Sequence, residues 1–227
     1  TLNASPTRAN NLTDDQVDPY SKQPNFKFSY VSVEAYQKPR ERVVVIGAGA
    51  AAYRFVSTYR QQNMEDEVTV FSKEPHAFYN RVLLPEYISD HLPWDSLEKM
   101  SAEVQRKLNF DLRTGHTIKS IDREEKTILT KDGEEYPYDR LIIATGSRPF
   151  VPRDVPRHLP GVFTMRRRED ADGLKEYLRL EDKSLPENRH VLIVGGGLLG
   201  LELAAVLREV NVRITIVQRS NRLMERQ

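Results

Sequence analysis

The chain has 227 residues, enough for one large domain or two small ones, and hydrophobic residues make up 39% of it, which suits a folded core. Its 34 basic and 33 acidic residues leave a formal net charge of +1, so neither a nucleic-acid surface nor a polybasic membrane anchor is indicated. Because there is no cysteine, a disulfide framework, a cysteine nucleophile and cysteine-ligated metal centres are excluded within these residues. The absence of cysteine fits an intracellular protein without requiring one, and the expected location is cytoplasmic.

The first 40 residues are rich in Asn, Ser, Thr, Pro, Asp and Gln, a composition that buries little apolar surface and predicts a linker or arm. Within it, FKFSYVSV at residues 26–33 alternates apolar and polar residues as a strand does. It either lies on the body of the protein or remains from a preceding domain. From residue 43 the pattern becomes β-α-β, with a buried strand at 43–46, a helix at 50–62 and a strand at 68–71.

The middle of the chain is predicted to consist of short elements. In order, they are a loop at 72–87 that leads into a short helix, a helix at 101–108, strands at 111–113, 116–121 and 127–130, a turn at KDGEE (131–135), and a buried strand in YDRLIIATGSRP (138–149). Prolines at positions 149, 152, 156 and 160 then mark an extended crossover. A helix at 170–180 and a loop at 184–190 follow, and a second β-α-β begins at His190.

Each β-α-β carries a glycine-rich turn between its strand and its helix. The first matches G-x-G-x-x-A and the second G-x-G-x-x-G, at positions Gly47, Gly49 and Ala52, and Gly195, Gly197 and Gly200. The first glycine permits a tight turn, the second lets the backbone approach a pyrophosphate, and the third position stays small so that the helix packs on the strand. A purely structural turn is the alternative. Two such units predict two dinucleotides, a flavin held permanently and a nicotinamide coenzyme that exchanges.

The strand and turn that follow the first unit resemble a known family. YDRLIIATG is similar to the YD-x-L-hh-ATG signature of the pyridine nucleotide oxidoreductases, flavoproteins that bind FAD and NAD(P)H in two Rossmann-like domains. In the disulfide reductase branch a cysteine pair would follow the first unit, and here there is none. KEPHAFYNRVLLPEYIS and the final RLMERQ instead resemble the large subunit of NAD(P)H-dependent nitrite reductases. Ferredoxin-reductase-like and apoptosis-inducing-factor-like flavoproteins are also similar.

The resemblance assigns roles to individual residues. It implies that the first glycine turn faces the FAD pyrophosphate and that Arg81 approaches the same diphosphate, unless Arg81 is a surface residue. It implies that Glu202 lies near the nicotinamide ribose, unless it is a solvated helix glutamate. The turn after the YD strand would lie against FAD through Ala144, Thr145 and Gly146.

Two positions depart from the expected pattern. The acid that holds the adenosine ribose at the end of the second strand is replaced by Lys73, and Glu74 is predicted to take its role from the next position. In the second unit the equivalent position is Gln218, followed by Arg219. Without an acid to repel a 2′-phosphate, and with an arginine able to bind one, NADPH should be tolerated. Because the resemblance favours NADH, we expect both coenzymes to be used.

The β-α-β pattern predicts an α/β fold, and the resemblance implies a Rossmann-like FAD-binding domain with an inserted, truncated second Rossmann-like NAD(P)-binding domain. The expected boundaries are 1–40 for the arm, 41–160 for the FAD-binding part and 161–227 for the start of the NAD(P)H domain. The chain is expected to be a fragment, since the returning strand of the FAD domain is missing. No catalytic acid, base or metal ligand is predicted, and His76, His91 and His116 are interpreted as structural or exposed.

The predicted function is electron transfer from NAD(P)H through FAD to a downstream metal centre, as in nitrite reductases. A reductase of a separate ferredoxin or rubredoxin carrier is the alternative enzyme. A redox-sensing flavoprotein scaffold with little turnover is an alternative of a different class. The expected partners are therefore the nicotinamide coenzyme and a downstream redox domain or carrier protein.

Overall fold

The computed structural model describes residues 39–156, 158–180 and 189–225. The predicted strand-like segment 26–33 and nearly all of the predicted arm lie outside these residues, as does most of the predicted loop 184–190. The residues from Pro39 onward form one compact unit. The predicted boundary near residue 160 stays a prediction.

The described residues form nine strands, six helices and one short 3-10 helix at Arg81–Leu83. The strands are β1 Arg42–Ile46, β2 Glu67–Phe71, β3 Asp111–Arg113, β4 Ile118–Asp122, β5 Thr127–Thr130, β6 Glu135–Pro137, β7 Arg140–Ile143, β8 His190–Val194 and β9 Arg213–Val217. The helices are α1 Ala50–Arg60, α2 Leu84–Ile88, α3 Trp94–Leu97, α4 Ala102–Lys107, α5 Arg168–Leu178 and α6 Leu198–Glu209.

A four-stranded parallel sheet with the order β3-β2-β1-β7 organises the first half of the chain. Successive residues of β1 point to opposite faces, as the period of a strand requires. Val43 and Val45 pack against α1 on one face, whereas Val44 and Ile46 pack against the antiparallel sheet β4-β5-β6 on the other. Because β1 is buried on both faces, it reads as a continuous apolar run. The predicted α/β class with a parallel sheet is confirmed.

The second β-α-β pairs β8 and β9 in parallel across α6. One side of α6 packs on α2 and α5, and the buried contacts come from Leu84 and Ile88 of α2, Leu174 of α5, and Leu203 and Leu207 of α6. The opposite face of the two strands exposes apolar side chains, with Leu192 at 58% and Val194 at 68% exposure. Helices α2 and α5 therefore join the second unit to the first.

The middle of the chain differs from the predictions in several places, and the predicted loop 72–87 contains the 3-10 helix and most of α2. The predicted strand 116–121 begins two residues later, because the N–H of His116 donates to the carbonyl of Ser72 and continues the preceding turn. Strand β6 was not predicted, since its first residue was counted in the KDGEE turn. The proline-rich crossover contains successive turns rather than extended chain. One of them places Pro160 and Gly161, at φ +85°, in its two central positions, where proline and glycine favour a type II turn.

Asp139 of the YD signature ties the start of β7 to the start of β1. Its carboxylate accepts hydrogen bonds from the backbone N–H of Arg42 at 2.7 Å and from the Arg42 guanidinium at 3.0 and 3.1 Å. These bonds, with the side-chain bond the largest contribution, lower the pKa of Asp139 from 3.8 to about 2. The folded state therefore favours the ionised carboxylate more strongly than the unfolded chain does.

We expect Asp139→Asn to remove one acid-sensitive contribution to stability. Because the folded pKa is depressed, the contribution is fully present above pH 3.8 and is lost as the pH falls toward about 2. The difference in urea midpoint between wild type and variant should thus shrink between pH 4 and about 2. Asp132→Asn, in an exposed turn, is the control for loss of a surface carboxylate and should leave the urea midpoint at pH 7 close to that of wild type. A constant difference for Asp139→Asn would contradict the assignment.

Candidate functional site

A cleft of about 1440 Å³ opens at the carboxyl ends of β1, β2 and β7. In an open parallel sheet, ligands bind at this edge, where the strand order reverses, and β1 lies there between β2 and β7. Of the predicted site residues, those that line the cleft are Gly47, Gly49, Glu74, Arg81, Ala144, Thr145 and Gly146. The fold thus gathers three separate stretches of sequence around one cavity.

The first glycine turn forms the floor of this cleft. Gly47 adopts φ +105°, which L side chains rarely adopt, and a Cβ there would overlap the carbonyl oxygen of Ala144 at the end of β7. A Cβ on Gly49, by contrast, would meet no atom within 4 Å. Packing among the described residues therefore requires glycine at position 47 but not at position 49. Ala52 is fully buried where α1 packs on the sheet and does not line the cleft, and its role toward the FAD pyrophosphate stays a prediction.

The start of α1 fits the diphosphate of a dinucleotide. Gly49 precedes the helix without a side-chain cap, and the first turn contains no acidic residue. The first N–H groups of a helix have no acceptor within it and carry a partial positive charge, which favours an anion. Gly49, Ala50 and Ala51 all line the cleft and offer little steric hindrance to a phosphate.

The opposite wall is the turn after β7. The N–H of Ala144 donates to the carbonyl of Ile46 at 2.8 Å and holds this turn against the first glycine turn. Gly146 adopts φ +71°, and a Cβ there would lie 3.1 Å from Nη2 of Arg166. The Arg166 guanidinium therefore lies against this turn. Sequence reasoning missed Arg166, since a run of three arginines indicates only a charged surface.

Glu74 and Arg81, predicted separately as FAD ligands, form an ion pair in the cleft wall. Arg81 Nη2 donates to Glu74 Oε1 at 2.7 Å, with side chains 28% and 17% exposed. Arg81 Nη1 also donates to the carbonyl of Arg166 at 2.9 Å. Lys73, the preceding residue, is exposed at the cleft. Of these two neighbouring residues, Glu74 is the one whose side chain is held in place at the cleft, by its ion pair with Arg81. Its role toward a ribose stays a prediction.

Tyr79 completes this wall, and sequence reasoning missed it. Its hydroxyl donates to Glu74 Oε2 at 2.8 Å and accepts from Arg81 Nη1 at 2.7 Å. Burial raises the pKa of the Tyr79 phenol, and the hydrogen bond to Glu74 adds to this effect. The hydroxyl is therefore protonated at neutral pH and can donate to the carboxylate.

The second glycine turn repeats the construction of the first. Gly195 adopts φ +117°, and a Cβ on Gly200 would overlap the Gly195 carbonyl oxygen, so both positions require glycine. Gly197 precedes α6 without a side-chain cap, and the first helical turn again lacks an acid. Gln218 Oε1 accepts from the N–H of Gly196 at 2.9 Å. The end of β9 is thereby fixed against the turn.

A small cavity of about 240 Å³ adjoins this turn and is lined by Gly197 and Arg219, among others. Arg219 is exposed and makes no hydrogen bond or ion pair with the described residues. Glu202 of α6 has a buried carboxylate oxygen, Oε2, without a donor in the described part of the chain. Neither residue lines the larger cleft, and Glu202 does not line the small cavity either.

The three histidines interpreted above as structural or exposed each contact a nearby residue. His76 and His116 line the cleft, where His76 Nε2 lies 3.6 Å from Glu169 Oε1 and His116 Nδ1 contacts the Thr114 carbonyl. His91 Nε2 lies 3.2 Å from Glu209 Oε2. Across residues 39–156, 158–180 and 189–225 there is no cluster of side chains suited to a metal ion. The helices within these ranges are all too short or too polar to span a bilayer.

Comparisons with known proteins extend over most of the chain. The family model described as pyridine nucleotide-disulphide oxidoreductase matches residues 41–227. A nitric oxide reductase FlRd-NAD(+) reductase of Aliivibrio fischeri is 32% identical over 186 residues, covering 80% of this chain and 46% of the relative. The nitrite reductase [NAD(P)H] large subunit of Klebsiella oxytoca is 32% identical over 185 residues, covering 80% of this chain and 18% of the subunit.

A solved ferredoxin reductase from Rhodopseudomonas palustris superposes with a TM-score of 0.72 at 28% identity, covering 82% of this chain and 45% of that one. The chain spans less than half the length of each of these three proteins. The similarity thus concerns one portion of larger proteins.

We expect Gly49→Val to abolish FAD binding while the protein stays folded. Gly49 has φ −94°, which valine can adopt, and no described atom would touch its Cβ, so Tm should change by less than about 2 °C. The branched side chain would fill the space that a diphosphate needs. The measurement is quenching of FAD fluorescence on titration of the apoprotein. Gly47→Ala is the contrast and should lower Tm itself. Native flavin affinity in Gly49→Val would refute the placement of the diphosphate.

Proposed function

The chain belongs to the pyridine nucleotide-disulphide oxidoreductase family, and we propose that it forms the electron-entry portion of an NAD(P)H-dependent flavoprotein reductase. Members of this family bind FAD and NAD(P)H, the pair of cofactors predicted from the two glycine turns. In the proposed arrangement, residues 41–160 supply the first part of the FAD-binding domain and residues 161–227 begin the NAD(P)H domain.

One observation carries the proposal: the uncapped start of α1 opens into a large cleft at the point where the strand order of the parallel sheet reverses. A diphosphate would accept hydrogen bonds from the N–H groups that follow Gly49. The Nε–H of Arg81, which has no acceptor among the described residues, would add a charged donor beside it. Glu74 would accept from a ribose hydroxyl, because a carboxylate has more acceptor sites than its two recorded bonds use.

FAD, when bound, would accept a hydride from the nicotinamide and release the electrons one at a time. The residues of this chain would contribute to this chemistry by holding the two cofactors in position. The turn from Ala144 to Gly146 would bear on the cofactor from the side opposite the first glycine turn. The second glycine turn, with its uncapped helix α6, would hold the diphosphate of the coenzyme, and Glu202 would accept a hydrogen bond from its ribose.

For the final acceptor we favour a metal centre elsewhere in the same protein, as in a nitrite reductase. The support is the similarity to the large subunit of the Klebsiella oxytoca enzyme and the YNRVLL and RLMERQ segments. A second candidate is the reductase of a separate ferredoxin- or rubredoxin-type carrier. It is supported by the similarity to the ferredoxin reductase from Rhodopseudomonas palustris.

The test is steady-state oxidation of NAD(P)H by the full-length protein with an artificial acceptor, together with its flavin and metal content. We expect FAD-dependent turnover. Nitrite reduction with bound siroheme or iron–sulfur centres would support the first acceptor, and turnover only with an added carrier would support the second. FAD binding without turnover would leave the scaffold alternative, and an apoprotein that binds no FAD would refute the proposal.

Coenzyme choice gives a further prediction. Arg219 lines the small cavity beside the second glycine turn, and Gln218 stands where an acid would repel a 2′-phosphate, while Glu225 also lines this cavity and adds one negative charge. We expect both coenzymes to be used, with neither preferred by more than about a hundredfold in kcat/KM. Arg219→Ala should lower kcat/KM for NADPH about tenfold or more and leave the NADH value within about twofold.

Arg222→Ala is the matched control, since Arg222 is also exposed but does not line the cavity. It should change neither value. Equal loss with both coenzymes in Arg219→Ala, or no loss with either, would show that Arg219 does not recognise the 2′-phosphate.

A further inference from the structure

Tyr79 is a buried side chain in the cleft wall with contacts on several sides. It is 2% exposed, and its ring contacts those of Trp94 and His76, with centroids 4.7 and 6.5 Å away. The Arg81 guanidinium lies over the same ring, 4.6 Å from its centroid. A ring packed on several sides has one orientation available to it, so the position of its hydroxyl is fixed by packing.

That hydroxyl makes three hydrogen bonds to three different parts of the chain. It donates to Glu74 Oε2 at 2.8 Å, and it accepts from Arg81 Nη1 at 2.7 Å and from the backbone N–H of Arg168 at 3.0 Å. Arg168 is the first residue of α5. One phenol oxygen therefore joins the segment after β2, the 3-10 helix and the start of α5, and it uses its donor and both of its lone pairs to do so.

We infer that Tyr79 is a positioning residue for FAD, because its hydroxyl holds the Glu74 carboxylate and the Arg81 guanidinium in the cleft wall at the same time. The inference rests on the proposed function, in which both side chains contact the cofactor. Glu74 and Arg81 would otherwise neutralise each other in any of several geometries. The Tyr79 hydroxyl selects the geometry in which the pair lines the cleft and Arg81 retains N–H groups for a phosphate.

The variant that tests this is Tyr79→Phe in the full-length protein, because it removes only the hydroxyl and keeps the packed ring. Tyr87→Phe is the matched control. Tyr87 also packs on Trp94, at 5.6 Å, and its hydroxyl donates to the carboxylate of Asp172 at 2.6 Å, but it touches neither Glu74 nor Arg81. Each variant loses a tyrosine–carboxylate hydrogen bond, and Tyr79→Phe also loses the two bonds that its hydroxyl accepts from Arg81 and Arg168.

The measurement is the Kd of the apoprotein for FAD by fluorescence quenching, at a temperature where circular dichroism shows each variant folded. We expect Tyr79→Phe to weaken FAD binding about tenfold, the scale of one hydrogen bond to a charged group, and Tyr87→Phe to change it by less than about twofold. Tyr79→Phe should lower Tm more than Tyr87→Phe, because it also leaves two donors without their acceptor, and this is why Kd is measured at a temperature where both variants are folded. Equal Kd values for Tyr79→Phe and wild type, or equal weakening by both variants, would overturn the inference.

A double-mutant cycle separates positioning from general destabilisation. If Tyr79 acts through Glu74, then Tyr79→Phe introduced into Glu74→Ala should weaken FAD binding by less than about threefold, and the two losses will not add. A loss of the full size in that background would overturn the inference. Wild-type apoprotein that binds no FAD would refute the proposed function itself, which distinguishes that failure from failure of the Tyr79 role.

Discussion

The close approach of two backbone turns organises this structure. The turn after β1 meets the end of β7 so closely that Gly47 has no room for a side chain beside the Ala144 carbonyl. This contact places the uncapped start of α1 and the turn at Gly146 on either side of one cleft. Both turns follow strands of the parallel sheet. The cleft forms because β1 and β7 are paired in parallel and end side by side at the same edge of the sheet.

The backbone determines the shape of the cleft, whereas its charges come from both backbone groups and side chains. The helix start attracts an anion through backbone groups, which need no side chain and are fixed by the fold. The wall formed by Glu74, Tyr79 and Arg81 depends on side chains, and a partly buried ion pair there has to be oriented to be useful to a ligand. A neutral phenol suits this task, because it bonds to both members of the pair without changing the net charge.

Much of this could be predicted from the sequence, because some constraints are local. The glycine turns can be recognised from the spacing of their glycines in the sequence. The structure adds that Gly47 and Gly200 are positions with no space for a Cβ. The β-α-β units followed from apolar runs of strand length. Strand β6 was missed because three residues paired at an edge leave too short a pattern, and its neighbouring turn masked the first of them.

The connections of the site were harder to predict, since they join residues that are distant in sequence. Nothing local indicates that Arg81 would pair with Glu74, or that the Arg166 carbonyl would accept from Arg81 across 85 positions. Tyr79 carried no signal of its own beyond its place in YNR. The role of such a residue depends on the hydrogen-bond partners of its buried polar atom, and the tertiary structure decides which partners those are.

The bonds from Arg81 and Tyr79 to the backbone of Arg166 and Arg168 also bear on how such proteins can be recombined. The proline-rich stretch before residue 160 looks like the natural place to join the coenzyme domain of one relative to the flavin domain of another. Yet the segment that leads into α5 is hydrogen-bonded to the cleft wall, because the carbonyl of Arg166 accepts from Arg81 and the N–H of Arg168 donates to Tyr79. A chimera spliced at the prolines would exchange those two anchor points along with the residues proposed to begin the coenzyme domain, whereas a junction within α5 would leave them with their partners.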